Sequence, residues 1–226
     1  MDSISQEALR AQSLSETYLD GCSGLIWDMD GTLINSATVV PDSFIATVHG
    51  IGGSVFSRDE VVALYSLGEP AAMLAHMLGR PASPGEVDRY HYELSERAHA
   101  AKAYPEVHRV LADLQGILPM AVFTGASLRA AEILLEATQL RQYFAVIVGG
   151  DQVRHPKPAP DGILRACGDL GLAPHACAYI GDATTDLEAA KRSGARALAA
   201  GWGHLFRPES TSGEIVVRTP GDLCSN

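Results

Sequence analysis

Positive charge is what this 226-residue chain is short of: 17 Lys and Arg stand against 27 Asp and Glu, a formal net charge of −10. General nucleic-acid and anionic-membrane binders neutralise phosphates with many Lys and Arg, so that balance argues against both classes. Cysteine is also sparse. Cys22, Cys167, Cys177 and Cys224 form no C-x-x-C pair, so neither a zinc knuckle nor a disulfide framework is expected, and free thiols in a reducing compartment are. No apolar run approaches the roughly 20 residues a membrane helix needs. The opening Met1-Asp2-Ser3-Ile4-Ser5-Gln6 lacks the basic and then apolar layout of a secretory leader, which makes the cytoplasm the expected location. The eight histidines build no H-x-x-x-H or H-E-x-x-H cluster, though His155 is a candidate for a pocket wall. A G-x-S-x-G elbow, a dinucleotide fingerprint, internal repeats and low-complexity stretches are all missing.

What is present is an alternation. Leu25–Trp27, Met120–Phe123, Phe144–Val148, Cys177–Ile180 and Ala195–Ala199 are short apolar runs of strand length. Between the later ones lie helical patterns at Val107–Leu114, Ser127–Leu140, Ile163–Leu170 and Leu187–Arg192. Strands alternating with helices at this spacing predict an α/β fold, a doubly wound parallel sheet covered on both faces. Residues 36–103 break the pattern. Ser57-Arg58-Asp59-Glu60 and Ser83-Pro84-Gly85-Glu86 both read as capping boxes, Gly68-Glu69-Pro70 opens another helix, and no strand signal intervenes. The expected organisation is therefore an N-terminal extension (1–20), a core domain (21–35 and 104–226) and an all-helical cap domain (36–103) inserted after the first strand. The short connections at its two ends, one carrying Pro41 and the other Tyr104-Pro105, suggest a hinge.

Polar residues gather where the strands end. Asp28 and Asp30 flank a single residue after the first apolar run, so in an extended segment they share a face. Two buried carboxylates on one face need a proton or a cation, and magnesium prefers oxygen donors. Thr124 and Asp182 close two later strands, and in doubly wound sheets ligands bind at such carboxyl ends. Each residue also has a plainer reading: a bare D-x-D is a polar turn, Thr124 or Asp182 a helix cap, and a lone Lys a solvated charge.

Together these residues resemble the haloacid dehalogenase superfamily of phosphotransferases. Asp28-Met29-Asp30-Gly31-Thr32-Leu33 is similar to its first motif, Thr124 to its second, Lys157 in Lys157-Pro158-Ala159-Pro160 to its third, and Gly181-Asp182-Ala183-Thr184-Thr185-Asp186 to its fourth. Ala189-Ala190-Lys191, Ser193-Gly194-Ala195 and Trp202-Gly203 further resemble the phosphoglycolate-phosphatase-like subfamily. The resemblance implies a magnesium-dependent phosphatase acting on a small phosphorylated metabolite, with Asp28 as nucleophile and Asp30 as acid and base. It implies that Asp28, Asp30 (through its backbone carbonyl) and Asp182 hold the metal, supported by Asp186. It further implies that Thr124, Gly125 and Lys157 hold the phosphoryl group. Arg58 is a candidate for binding a second anionic group on the substrate, as are His76, Arg80, Arg89 and Lys102. Gly125 departs from a frequent Asn, Asn35 from a frequent acid, and Glu106 from a common Gly. A sugar-phosphate mutase of the β-phosphoglucomutase type would share every core residue, although such mutases often carry Glu-Asp where Gly181-Asp182 stands. A non-catalytic phosphometabolite-binding protein is the third reading, and retention of both Asp28 and Asp30 counts against it.

Overall fold

A computed structural model describes residues 18–211 and 213–224. The proposed N-terminal extension lies almost wholly outside the described residues. Six strands form one parallel sheet: β1 (Gly24–Trp27), β4 (Met120–Phe123), β5 (Val146–Val148), β6 (Cys177–Gly181), β7 (Arg196–Ala200) and β8 (Ile215–Val217), in the order β5-β4-β1-β6-β7-β8. Central β1 pairs in parallel with β4 on one side and β6 on the other. The chain leaves β1 toward β4 and β5, then returns to β6 on the opposite side. The carboxyl end of β1 is thus the point where the winding reverses, the position at which open α/β sheets bind ligands.

All four β1 residues are buried, which a parallel strand requires when helices cover both faces. Leu25 and Trp27 enter one apolar cluster with α5 (Val107–Leu114) and α6 (Leu128–Ala137). Ile26 points the other way, into a second cluster with α7 (Asp161–Asp169) and α8 (Thr184–Ser193). This is the two-residue alternation of a strand expressed as two cores. Strand β8 has no counterpart among the runs expected from the sequence. Three apolar residues between Glu214 and Arg218 are too few to stand out, and pairing with β7 supplies the rest.

In the chain, α1 (Val39–Gly50), α2 (Arg58–Ala63), α3 (Pro70–Leu78) and α4 (Pro84–Arg97) lie between β1 and β4. Both capping boxes form: Ser57 and Ser83 accept from the backbones of Glu60 and Glu86, whose carboxylates return to the serine backbone N–H groups. Gly79 ends α3 in the left-handed conformation. The helical reading overshoots only at the end. The last helix stops at Arg97, and Lys102–Ala103 (β3) pairs antiparallel with Ile34–Asn35 (β2). This two-residue ribbon joins the helical segment to the sheet. Glu106 has φ 66, the left-handed conformation that a side chain disfavours. Its carboxylate is 2.8 Å from Arg109. Among the described residues no helix is long and apolar enough to cross a membrane.

Candidate active site

The chain turns sharply as it leaves β1. The N–H groups of Leu33 and Ile34 both donate to Met29 O, and Gly31 N–H donates back to Ile34 O. Gly31 is needed twice over in this turn. Its φ is +89°, and a Cβ there would fall 2.3 Å from Asp182 Oδ2. The tight turn projects Asp28 and Asp30 toward the ends of β4 and β6.

Asp28 is 4% exposed. Its Oδ1 accepts from Lys157 Nζ at 2.6 Å, and the same ammonium lies 2.6 Å from Asp186 Oδ1 and 3.2 Å from Tyr179 Oη. Lys157 also sits 5.3 Å from the centre of the Phe123 ring and 5.8 Å from that of Tyr179, within cation–π reach. Burial opposes the Lys157 charge, but Asp186 and Asp28 outweigh it and hold the amine well above its ordinary range. For Asp28 burial is the largest influence and raises the carboxyl, with Lys157 pulling the other way. One cation fixed between two carboxylates is a buried ion-pair network, in which each partner depends on the others.

Asp182 and Asp186 straddle the start of α8, which Ala183 caps, so Asp182 is not the helix cap that its plainer reading suggests. Asp186 is fully engaged: Oδ1 meets Lys157 and Tyr179, and Oδ2 accepts from Ala183 N–H at 3.0 Å. Asp182 is not. Its Oδ2 accepts from Leu205 N–H at 2.8 Å, while its Oδ1 is buried without a partner. Burial first, then Asp186, pushes this carboxyl up to about 7. Gly203 lets the backbone lie against it, since a Cβ there would be 2.1 Å from Asp182 Cβ. Carboxylate oxygens of Asp28, Asp182 and Asp186 lie within 4.8 Å of one another. A buried oxygen without a donor, beside a second carboxylate that faces the cavity, fits a hard divalent cation. Both oxygens of Asp186 already accept from protein donors, one of them Lys157.

Asp30 faces the same space. Its Oδ1 accepts from Ser36 Oγ at 2.5 Å, and burial raises its carboxyl against the pull of Ser36 and His204. Thr124, 1% exposed, ends β4 and accepts from Ala126 N–H at 3.1 Å. It does not cap the following helix; Ser127 does. Asp28, Asp30, Thr124, Gly125, Lys157, Asp182 and Asp186 all line one cavity of about 320 Å³, near the lower end of the roughly 300–1,000 Å³ typical of ligand pockets.

The sequence model of the haloacid dehalogenase-like hydrolases matches residues 25–200. The chain belongs to that family. A phosphoglycolate phosphatase from Aquifex aeolicus is 31% identical over 88% of this chain and 93% of its own length. One from Escherichia coli K12 is 26% identical over 88% and 90%. Among solved structures, CbbY from Rhodobacter sphaeroides in complex with phosphate superposes with a TM-score of 0.77 at 25% identity, covering 89% of this chain and 96% of that one. As a haloacid dehalogenase-like hydrolase of this kind, the protein is a phosphatase-type enzyme with an α/β core.

The structure brings together every core residue singled out from the sequence, and it leaves aside the cationic candidates Arg58, His76, Arg80, Arg89 and Lys102. Arg58 does not line the cavity. It is 53% exposed and forms a two-pronged pair with Asp42 at 2.7 Å, because the capping box at Ser57 fixes α2 with Arg58 facing α1. His155 is also outside the cavity, exposed and 2.9 Å from Asp161. Several residues had gone unnoticed. Ser36 binds Asp30, Tyr179 braces Lys157, and Tyr104 Oη lies 3.1 Å from His204 Nδ1. Ser36, Tyr179 and His204 each sit within three residues of a motif, but only the fold shows which side chains they meet.

Proposed function

We propose that this haloacid dehalogenase-like hydrolase is a magnesium-dependent phosphatase of small phosphomonoesters that works through an aspartyl-phosphate. Asp28 carboxylate attacks phosphorus and the ester oxygen leaves, taking a proton from Asp30. Asp30 then removes a proton from water, whose oxygen attacks the phosphoryl group, releasing inorganic phosphate and restoring Asp28. The upward shift of Asp30 supports this part, since burial favours the protonated acid that the first step requires. Lys157, Thr124 and the backbone at Gly125 hold the phosphoryl oxygens, and Asp186 and Tyr179 keep Lys157 in place. Asp28, Asp182 and the backbone carbonyl of Asp30 would hold magnesium, which supplies positive charge beside the transferring group when bound. The unpartnered, buried Oδ1 of Asp182 next to the Asp28–Lys157 pair is the observation that carries this reading.

We divide the protein into a core (21–35 and 104–226) and a helical cap (36–103) that closes over the site and turns on the β2–β3 ribbon. The enzyme would act in the cytoplasm, where its four unpaired cysteines stay reduced. Inorganic phosphate release from p-nitrophenyl phosphate tests the assignment. EDTA should abolish it, and magnesium should restore it where calcium does not. A mutase would instead return the phosphoryl group to a second hydroxyl without releasing phosphate. Full turnover in EDTA contradicts the metal requirement.

A further inference from the structure

Where the cavity leaves the carboxylates it loses all charge. Its far wall is built from α1, α2, α3 and α4: Val40, Phe44, Val62, Met73 and Tyr90, with Tyr65 just beyond α2. Phe44 and Tyr90 are buried and stack at 4.1 Å between ring centroids, a rigid apolar floor. Among the described residues that line the cavity, Lys157 is the only cation, and it already serves Asp28 and Asp186. The arginines of the helical segment are committed elsewhere: Arg58 to Asp42, Arg80 to Glu86, and Arg89 and Arg97 to Glu93.

A second anion on the substrate would therefore be buried against hydrocarbon and near Asp30, with no cation to meet it. Uncompensated buried charge is among the most costly arrangements in a protein. Polarity on this wall comes instead from hydroxyls. Tyr65 Oη is buried with no hydrogen-bond partner. Burial, then the Asp30 carboxylate, keeps it strongly protonated, so it is a donor in want of an acceptor.

Resting on the phosphatase reading, we propose that the substrate has an uncharged, largely apolar leaving group bearing a hydroxyl or carbonyl oxygen that accepts from Tyr65, and that a carboxylate or second phosphate on that group is excluded. Phosphoglycolate, named for the relatives above, carries a carboxylate next to its ester carbon. This chain is then a poor phosphoglycolate phosphatase. Tyr65 is its specificity residue, and Val62 and Met73 shape the apolar side.

The test compares kcat/KM of the magnesium-loaded full chain on 2-phosphoglycolate, on 2-hydroxyethyl phosphate, which has CH₂OH in place of the carboxylate, and on 4-hydroxybutyl phosphate. The neutral esters should exceed phosphoglycolate by about tenfold or more, with the longer one ahead, in line with an unpaired buried charge costing at least 1.4 kcal/mol. Tyr65→Phe should lower kcat/KM for 4-hydroxybutyl phosphate about tenfold more than for butyl phosphate. Val62→Arg should raise turnover of phosphoglycolate relative to the neutral esters. Wild-type enzyme that prefers phosphoglycolate overturns the proposal. Equal losses for hydroxybutyl and butyl phosphate in Tyr65→Phe overturn the role of the hydroxyl. Failure to hydrolyse even p-nitrophenyl phosphate removes the phosphatase reading itself, a result distinct from a wrong choice among esters.

Discussion

The two walls of the cavity are made on opposite principles. On the sheet side, four carboxylates and one ammonium crowd the ends of β1, β4 and β6, and each carboxylate has at least one oxygen with a named partner. On the helical side, the wall is hydrocarbon with tyrosine hydroxyls, and the charges of the same helices pair with each other at the surface. The sheet side can do one kind of chemistry on any phosphate ester. The helical side cannot react but can choose. A substitution on the sheet side should therefore change turnover of every ester alike, whereas one on the helical side should change their ranking.

The largest effect expected is for Asp28→Asn, which keeps shape and removes the nucleophile. Phosphate release from all esters should fall by on the order of 10⁴-fold or more, with the circular dichroism spectrum unchanged. A variant that loses activity on some esters only would break the division between the walls. Next is Lys157→Met. It leaves Asp28 and Asp186 facing each other without compensation, and removing one partner of a buried pair costs about 3–5 kcal/mol. Urea unfolding should show that loss, together with loss of activity toward every ester. Stability within 1 kcal/mol of the parent, roughly the worth of an exposed pair, would mean that the network is screened by solvent despite 12% exposure of the lysine and 2% of Asp186.

A smaller effect comes from Asp182. Its carboxyl is pushed up to about 7 by burial and by Asp186. A raised acid favours the protonated folded protein, so the contribution of Asp182 to the stability of the metal-free enzyme is full below its ordinary value of 3.8 and falls away as pH rises to about 7. Magnesium needs the carboxylate and must displace the proton. The rise in Tm on adding magnesium should thus be small near about pH 5.5 and grow toward about pH 8. An equal rise at both would exclude Asp182 as the ligand that titrates. The smallest effect is for Arg58→Ala. The Arg58–Asp42 pair is exposed, so stability should stay close to that of the parent, and KM for every ester should stay at the parent value. A change in substrate ranking would return Arg58 to the site and contradict its placement.

The contrast between the walls also governs what the sequence made legible. The sheet side follows from local spacing. Asp28, Thr124 and Asp182 each stand directly after an apolar run, and a strand end fixes where a side chain goes within a residue or two. Helix starts were equally local, since a capping box is complete within four residues, and Ser57–Glu60 and Ser83–Glu86 form as expected. Strand β8 escaped because its three apolar residues gain meaning only by pairing with β7. Tyr104 and His204 meet across 100 residues, and Tyr65 shares the cavity of the carboxylates only once the helical segment has folded. Arg58 illustrates the converse error. A cation in the helical segment is a fair candidate for an anion until the geometry shows that Asp42 has already claimed it.

In the proposed reaction Asp28 itself carries the phosphoryl group. The direct measurement is rapid acid quench of wild-type enzyme with magnesium and a phosphate ester, followed by digestion and mass spectrometry. One added phosphoryl group is expected on the peptide containing Asp28, lost on hydroxylamine treatment and missing in Asp28→Asn. Phosphorylation of another residue, or the same label in Asp28→Asn, would contradict it.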